Sequence, residues 1–137
     1  MRIGVLAARA GLTTKTIRFY EDVGLLPAPP RTPAGYRDYP AQTLTRLGFV
    51  LNAQAAGLTL AEIRGVLAIR DTGQAPCEHV SGLIDQHLAQ VEQRLAELTR
   101  VRSLLRELKH RAAGADPAAC PSEQVCNILN KGTGQGL

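Results

Sequence analysis

The chain has 137 residues, of which 20% are charged, and a formal net charge of +4 at pH 7. This length fits one modest domain plus an extended element and allows only a small core. No stretch approaches the ~20 apolar residues of a membrane span, and the first residues lead into an amphipathic segment, not a secretory signal. We therefore expect a cytoplasmic protein without a membrane partner.

The basic charge lies in the first half of the chain. Residues 1–70 carry a net charge of +5, whereas residues 71–137 carry −1. Such an asymmetry is the electrostatic footprint that a nucleic-acid-binding segment requires, although it is also common without that role. The charge supports DNA binding only in combination with a motif.

A helix-turn-helix is predicted at the start of the chain. Residues 3–10 place apolar side chains at near-helical spacing, and Gly11 interrupts the pattern. Thr13 is a suitable N-cap for a second helix over about residues 14–22, and the first turn of that helix is polar. Two helices joined by a short turn containing Gly are typical of this motif.

A wing is predicted to follow. Four prolines between residues 27 and 33 exclude helix there, and Gly35 permits a tight turn. We expect a short two-stranded wing with Arg31 on one arm and Tyr36 and Arg37 on the other.

Two further helices should complete the first domain. Pro40 suits the first turn of a third helix, over about residues 41–55. Thr59 and Glu62 have the spacing of a capping box at the start of a fourth helix, which we expect to end before Asp71.

The longest predicted element is a helix over residues 79–111. Apolar side chains recur every seven residues, with two more in between: Ile84, Leu88, Val91, Leu95, Leu98 and Leu105. A stripe sustained over more than three heptads is a coiled-coil pattern. A helix of this size is about 50 Å long, too long for the first domain to cover, so we expect a homodimer.

Two sequence strings place these elements in a known family. T-I-R-F-Y-E-x-x-G-L-L begins at Thr16, and R-x-x-x-G-Y-R-x-Y begins at Arg31. With the coiled-coil helix, residues 1–110 closely resemble the winged helix-turn-helix regulators of the MerR family. The resemblance implies a mainly α fold: a winged helix-turn-helix domain, a long antiparallel coiled-coil dimerisation helix and a short C-terminal metal-binding loop. The expected divisions are 1–70 for DNA binding, a 71–78 hinge carrying Cys77, 79–111 for dimerisation, 112–130 for metal binding and a disordered tail, 131–137.

The resemblance also implies DNA contacts. Hydroxyl, ammonium and guanidinium groups hold phosphates and reach base edges. The candidate DNA-binding residues are Thr13, Thr14, Lys15, Thr16, Arg18, Tyr20, Arg31, Tyr36 and Arg37. For Phe19 and Tyr20 the alternative is that the aromatic ring only fills the junction between helix and wing.

The three cysteines are the candidate metal ligands. Cys77 precedes the long helix, and Cys120 and Cys126 follow it. An odd number of cysteines cannot all pair in disulfides within one chain, and a cytoplasmic protein keeps its thiols reduced. Resemblance to the metal-sensing branch implies that Cys77 of one subunit meets Cys120 and Cys126 of its partner in an antiparallel dimer.

Thiolates suit soft ions, and three of them favour a divalent one, so the expected effector is Zn, Cd, Pb or Hg. In the family, sensors of monovalent ions carry Ser where Cys77 stands, which also favours a divalent ion. His79 or Glu78 is a possible fourth ligand, with a solvated surface His as the alternative. The resemblance implies that the dimer binds a palindromic operator in double-stranded promoter DNA. On binding the metal ion, the dimer would distort that DNA so that RNA polymerase can use a metal-efflux or resistance promoter.

Three other functions are alternatives to metal sensing. The first is a redox-sensing regulator that uses a disulfide between Cys120 and Cys126. A drug-sensing relative is disfavoured, since such proteins carry a sizeable ligand domain after the long helix. An enzyme is not expected, because the His and Cys residues lack nucleophile–base spacing and no Gly-rich phosphate loop is present.

Overall fold

The computed structural model describes residues 1–123 and 125–133, the last three by their backbone alone. In chain order its helices are α1 (Ile3–Ala10), α2 (Thr14–Asp22), α3 (Gln42–Ala55), α4 (Leu60–Asp71), α5 (Cys77–Ala113), a short 3-10 helix (Pro117–Ala119) and α6 (Asn127–Thr133). They form two compact units, Met1–His87 and Leu88–Leu137. Within the described part of the chain, no helix is long and apolar enough to cross a membrane.

The first two helices form the predicted helix-turn-helix. Gly11 ends α1 with a φ of 69°, a left-handed conformation that favours glycine. The Thr13 side chain caps α2 by accepting a hydrogen bond from the Thr16 backbone N–H at 3.1 Å. This cap was predicted correctly because it depends on four consecutive residues.

The wing differs from the prediction. Between residues 27 and 39 the described chain contains no strand, only one antiparallel bridge between Arg31 and Arg37. The turn is closed by the Gly35 N–H, which donates to the Thr32 carbonyl at 2.8 Å, and by the Thr32 N–H, which donates to Tyr36 at 2.7 Å. Proline has no N–H to donate, so the Pro-rich arm cannot extend the ladder.

Helices α3 and α4 complete the core of the first unit. Helix α3 begins at Gln42, one residue after the predicted start. Thr59 and Glu62 form the predicted capping box at the start of α4, which runs on to Asp71 instead of ending before it. The largest buried side chains come from all parts of this unit: Leu6, Ile17, Leu25, Tyr39, Leu47, Val50, Ile63 and Val66.

Helix α5 is longer than predicted, with 37 residues. It begins at Cys77, so this cysteine lies in the first helical turn and not in a hinge before it. The Val80 N–H donates to the Pro76 carbonyl at 2.9 Å, which starts the helical hydrogen bonds, and Glu78 stands in the first turn. A carboxylate there is favoured by the positive end of the helix dipole.

The chain after α5 is more ordered than predicted. Asp116 caps the 3-10 helix by accepting from the Ala118 N–H at 3.0 Å. Helix α6 runs to Thr133 and so extends three residues into the segment 131–137, for which disorder was predicted. Residues 134–137, and Gln124 within the predicted metal-binding loop, lie outside the described residues.

Candidate DNA-binding surface and effector cysteines

The start of α2 presents the predicted polar groups. Lys15 and Arg18 are exposed, and Thr14 is partly exposed. The hydroxyls of Thr13 and Thr16 lie 2.9 Å apart and hydrogen-bond to each other. The two threonines therefore stabilise the first turn of α2, while Lys15 and Arg18 remain available to a phosphate or a guanine edge.

A basic depression joins α1, α2 and the wing. It has a volume of about 540 Å³ and is lined by four arginines, Arg2, Arg18, Arg31 and Arg37, together with Tyr36. Three of these arginines and the tyrosine were singled out from the sequence. We call this set of five side chains the basic groove. Clustered guanidinium groups on one concave surface are suited to successive phosphates of a DNA backbone.

The sequence did not predict that Arg2 belongs to the basic groove. Its guanidinium carbon lies 4.3 Å from the centre of the Tyr36 ring, a cation–π contact that joins the start of the chain to the wing. Residues 2 and 36 have no local relation in sequence. The only available signal was that Arg2 belongs to the basic half of the chain.

Tyr20 lies beneath this surface. Only 4% of the residue is exposed, and its hydroxyl donates to Gln54 Oε1 at 2.9 Å. Of the two alternatives left open for this residue, burial favours packing over direct DNA contact. Phe19 remains 46% exposed.

A cluster of three side chains, of which only Tyr39 is fully buried, holds the wing against α2. The Tyr39 hydroxyl donates to Glu21 Oε1, and Arg37 Nε lies 3.4 Å from Glu21 Oε2. Burial, together with the hydrogen bond to the Glu21 carboxylate and its negative charge, raises the pKa of Tyr39 to about 12. Arg37 is therefore oriented by the end of α2, which fixes one side of the basic groove.

All three cysteines are free thiols. Cys77 is exposed at the first turn of α5, and Cys120 and Cys126 are partly exposed on either side of the loop before α6. The part of the chain that the structure describes contains no group of three His, Cys, Asp or Glu residues placed to hold a metal ion.

The loop after α5 is fastened by Arg111. Its Nη1 donates to the Ile128 carbonyl at 3.0 Å, and its Nη2 donates to Glu107 Oε1 at 2.8 Å. Because Ile128 lies two residues after Cys126, this contact fixes the segment that carries Cys126 against the end of α5.

The apolar stripe of α5, whose side chains recur every seven residues, is exposed to solvent in the single chain. Between 45% and 62% of each of the following residues is exposed: Ile84, Leu88, Val91, Leu95, Leu98, Val101, Leu104 and Leu105. A continuous exposed apolar stripe of this kind is typical of an interaction surface.

Comparison with known proteins gives a consistent result. Residues 1–68 match the family described as MerR HTH family regulatory protein, and residues 44–108 match the one described as MerR, DNA binding. The chain is 37% identical to the mercuric resistance operon regulatory protein of Bacillus cereus, over 88% of this chain and 92% of the relative. It is 35% identical to a ZntR homologue, an HTH-type transcriptional regulator of Haemophilus influenzae, over 85% of this chain and 86% of the relative.

Among solved structures, the chain is similar to a PbrR transcription regulator from Ralstonia metallidurans CH34 in complex with lead(II). The two share 39% sequence identity with a TM-score of 0.73, covering 96% of this chain and 98% of the other. The family matches together span the helix-turn-helix, the wing and most of α5. By these matches and by its fold, the chain belongs to the MerR family of helix-turn-helix, DNA-binding regulatory proteins.

Proposed function

We propose that the chain is a homodimeric transcription regulator that responds to a soft divalent metal ion, from the group Zn, Cd, Pb and Hg. One observation carries the metal part: the three free thiols stand at the two ends of the dimerisation helix, Cys77 at its first residue and Cys120 and Cys126 after its last. The mercuric-resistance relative and the lead(II) complex named above support an ion of this class.

The length of α5 supports a dimer. A helix of 37 residues is about 55 Å long, whereas thiolate sulfurs bind one ion at about 2.3 Å. Two α5 helices packed antiparallel along the exposed stripe would bring Cys77 of each subunit to the end of the other helix. Cys77 and the partner's Cys120 and Cys126 would then supply three thiolates, with His79 or Glu78 as a possible fourth ligand.

The basic groove and the start of α2 would bind the operator. Arg2, Arg18, Arg31 and Arg37 would hold phosphates beside the wing, with Tyr36 packed against Arg2. Lys15 and the α2 threonines would face the major groove, where a recognition helix reads base edges. Two such domains in one dimer match a palindromic operator, in a promoter read by RNA polymerase.

Activation would act through the shape of the DNA. Smoothly bending a DNA site of about 20–30 bp costs roughly 1–6 kcal/mol. The effector must therefore stabilise the protein state that fits the distorted DNA by a comparable difference in affinity. The regulated genes would then be those of metal resistance or efflux.

The test is a titration of the reduced protein with lead(II), mercury(II), cadmium(II) and zinc(II). Thiolate-to-metal charge transfer in the ultraviolet reports the first three ions, and competition reports zinc. We expect tight binding of one ion per subunit, at least tenfold weaker in Cys77→Ser. Ser81→Ala, on the same helix and with an exposed side chain, is the matched control and should bind as the wild type does.

Two results would contradict the proposal. Affinity no better than that of an exposed thiol pair, and unchanged in Cys77→Ser, would remove the shared site. If oxidation instead changed operator binding through a disulfide between Cys120 and Cys126, the redox-sensing alternative would replace it.

A further inference from the structure

The start of α5 contacts α4, within the unit Met1–His87, through a polar pair. His87 Nε2 lies 2.8 Å from Glu62 Oε1 at the start of α4, and the two side chains are only 20% and 23% exposed. The His87 ring also lies over Gly57, where an added Cβ would stand 3.9 Å from Nδ1. One turn earlier on the same helix, Leu83 packs against the core.

Glu62 is held in place from its own helix. Its Oε1 accepts from the Thr59 N–H at 2.8 Å, and its own N–H donates to the Thr59 hydroxyl at 3.1 Å. The hydrogen bonds from Thr59, followed by the one from His87, lower the pKa of Glu62. The carboxylate is therefore ionised at neutral pH and only accepts hydrogen bonds, so His87 Nε2 carries the proton and donates it.

Helix α4 also contacts the end of α2. Two residues after Glu62, Arg64 Nη1 donates to the Val23 carbonyl at 3.1 Å. Val23 is the C-cap residue of α2, the helix that presents Lys15 and Arg18. Two hydrogen bonds, His87 to Glu62 and Arg64 to Val23, are therefore joined through the first turn of α4, and they link the start of α5 to the end of the recognition helix within the unit Met1–His87.

We propose that the Glu62–His87 contact couples the effector site to the DNA-binding helices. The inference rests on the proposed function, because it assumes that an ion bound at Cys77 moves or stiffens the start of α5. Cys77 and His87 are ten residues apart on one helix, about 15 Å, so a displacement at the first turn reaches His87 through a rigid element. His87 is thus a positioning residue that touches neither the ion nor the DNA.

The test uses the full-length reduced dimer and an operator fragment selected by its binding to the metal-free protein. Dyes at the two ends of the fragment report DNA bending by energy transfer while lead(II) is added. Thiolate absorbance reports lead(II) binding in the same sample. The variants are His87→Ala, which removes the donor, and His87→Gln, which keeps an N–H donor at that position. Gln86→Ala, an exposed neighbour on α5, is the control.

We expect His87→Ala to bind lead(II) and the metal-free operator within twofold of the wild type. Its lead(II)-induced change in DNA shape should fall at least fivefold, because the effector and the DNA-binding helices are then no longer coupled through this contact. His87→Gln should recover most of the response, and Gln86→Ala should not differ from the wild type.

The outcomes separate this inference from the proposed function. A wild type whose operator fragment changes shape with none of the four ions of the titration, each added in the same way as lead(II), refutes the proposed function and the coupling with it. A responding wild type with an equally responding His87→Ala refutes the coupling alone. The coupling is also refuted if His87→Ala loses operator binding and lead(II) binding in the same proportion, because the contact then only supports the fold.

Discussion

Tyr39 should make the stability of the DNA-binding unit fall at alkaline pH. Only 2% of this residue is exposed, and its hydroxyl donates to Glu21, which also faces Arg37. Ionising the hydroxyl would place a second negative charge beside the Glu21 carboxylate, without water to solvate it. The pKa of Tyr39 is consequently raised from 10.0 to about 12, with burial as the largest cause.

The difference between the pKa of Tyr39 in the folded and unfolded states determines the sign and size of this change in stability. A pKa that is higher in the folded state means that folding favours the protonated phenol. The resulting stabilisation is complete below pH ~10 and is lost as the pH rises through about 12. Two pKa units correspond to about 2.7 kcal/mol of unfolding free energy. Tyr39→Phe removes the donor to a charged acceptor, which should cost roughly 1.5–3 kcal/mol at pH 8.

The measurement is urea unfolding of wild type and Tyr39→Phe from pH 8 to 11.5, at one protein concentration, since any association makes stability depend on concentration. The wild type should be the more stable protein at pH 8, and the difference should narrow steadily above pH 10. Tyr36→Phe, whose residue is 53% exposed, should follow the wild type throughout. A difference between wild type and Tyr39→Phe that stays constant up to pH 11.5 would refute this account.

The two remaining predictions concern DNA binding and assembly. Arg18→Gln should weaken operator binding and reduce the slope of log K against log salt by about one, because one phosphate contact is lost. Arg100→Gln, outside the basic groove, should leave the slope unchanged, and equal slopes in all three proteins would exclude Arg18 from phosphate binding. Leu98→Asp places a charge in the apolar stripe, where the residue is 62% exposed in the single chain. In sedimentation it should shift dimer to monomer, and a dimer that persists at micromolar concentration would show that the stripe is not the interface.

Much of the helical architecture was predictable because its signals are local. The Thr13 cap, the Gly11 stop and the Thr59–Glu62 capping box each depend on residues within one turn. The first two residues of α5, Cys77 and Glu78, were missed because the apolar stripe that identified the helix begins only at Ile84 and does not fix the helix start. The wing was predicted as strands, yet its prolines leave a single bridge.

The sequence by itself determined the order of the helices, the charge asymmetry, the apolar stripe of α5 and the positions of three thiols at its two ends. Periodicity, caps and composition are properties of neighbouring residues, so they can be predicted from the sequence without the tertiary structure. Only the tertiary structure decided that Arg2 joins the basic groove and that Tyr39 is buried against Glu21. It also decided that His87 meets Glu62, a partner 25 residues away. Such contacts depend on how the helices pack, because no local rule pairs residues that distant in sequence.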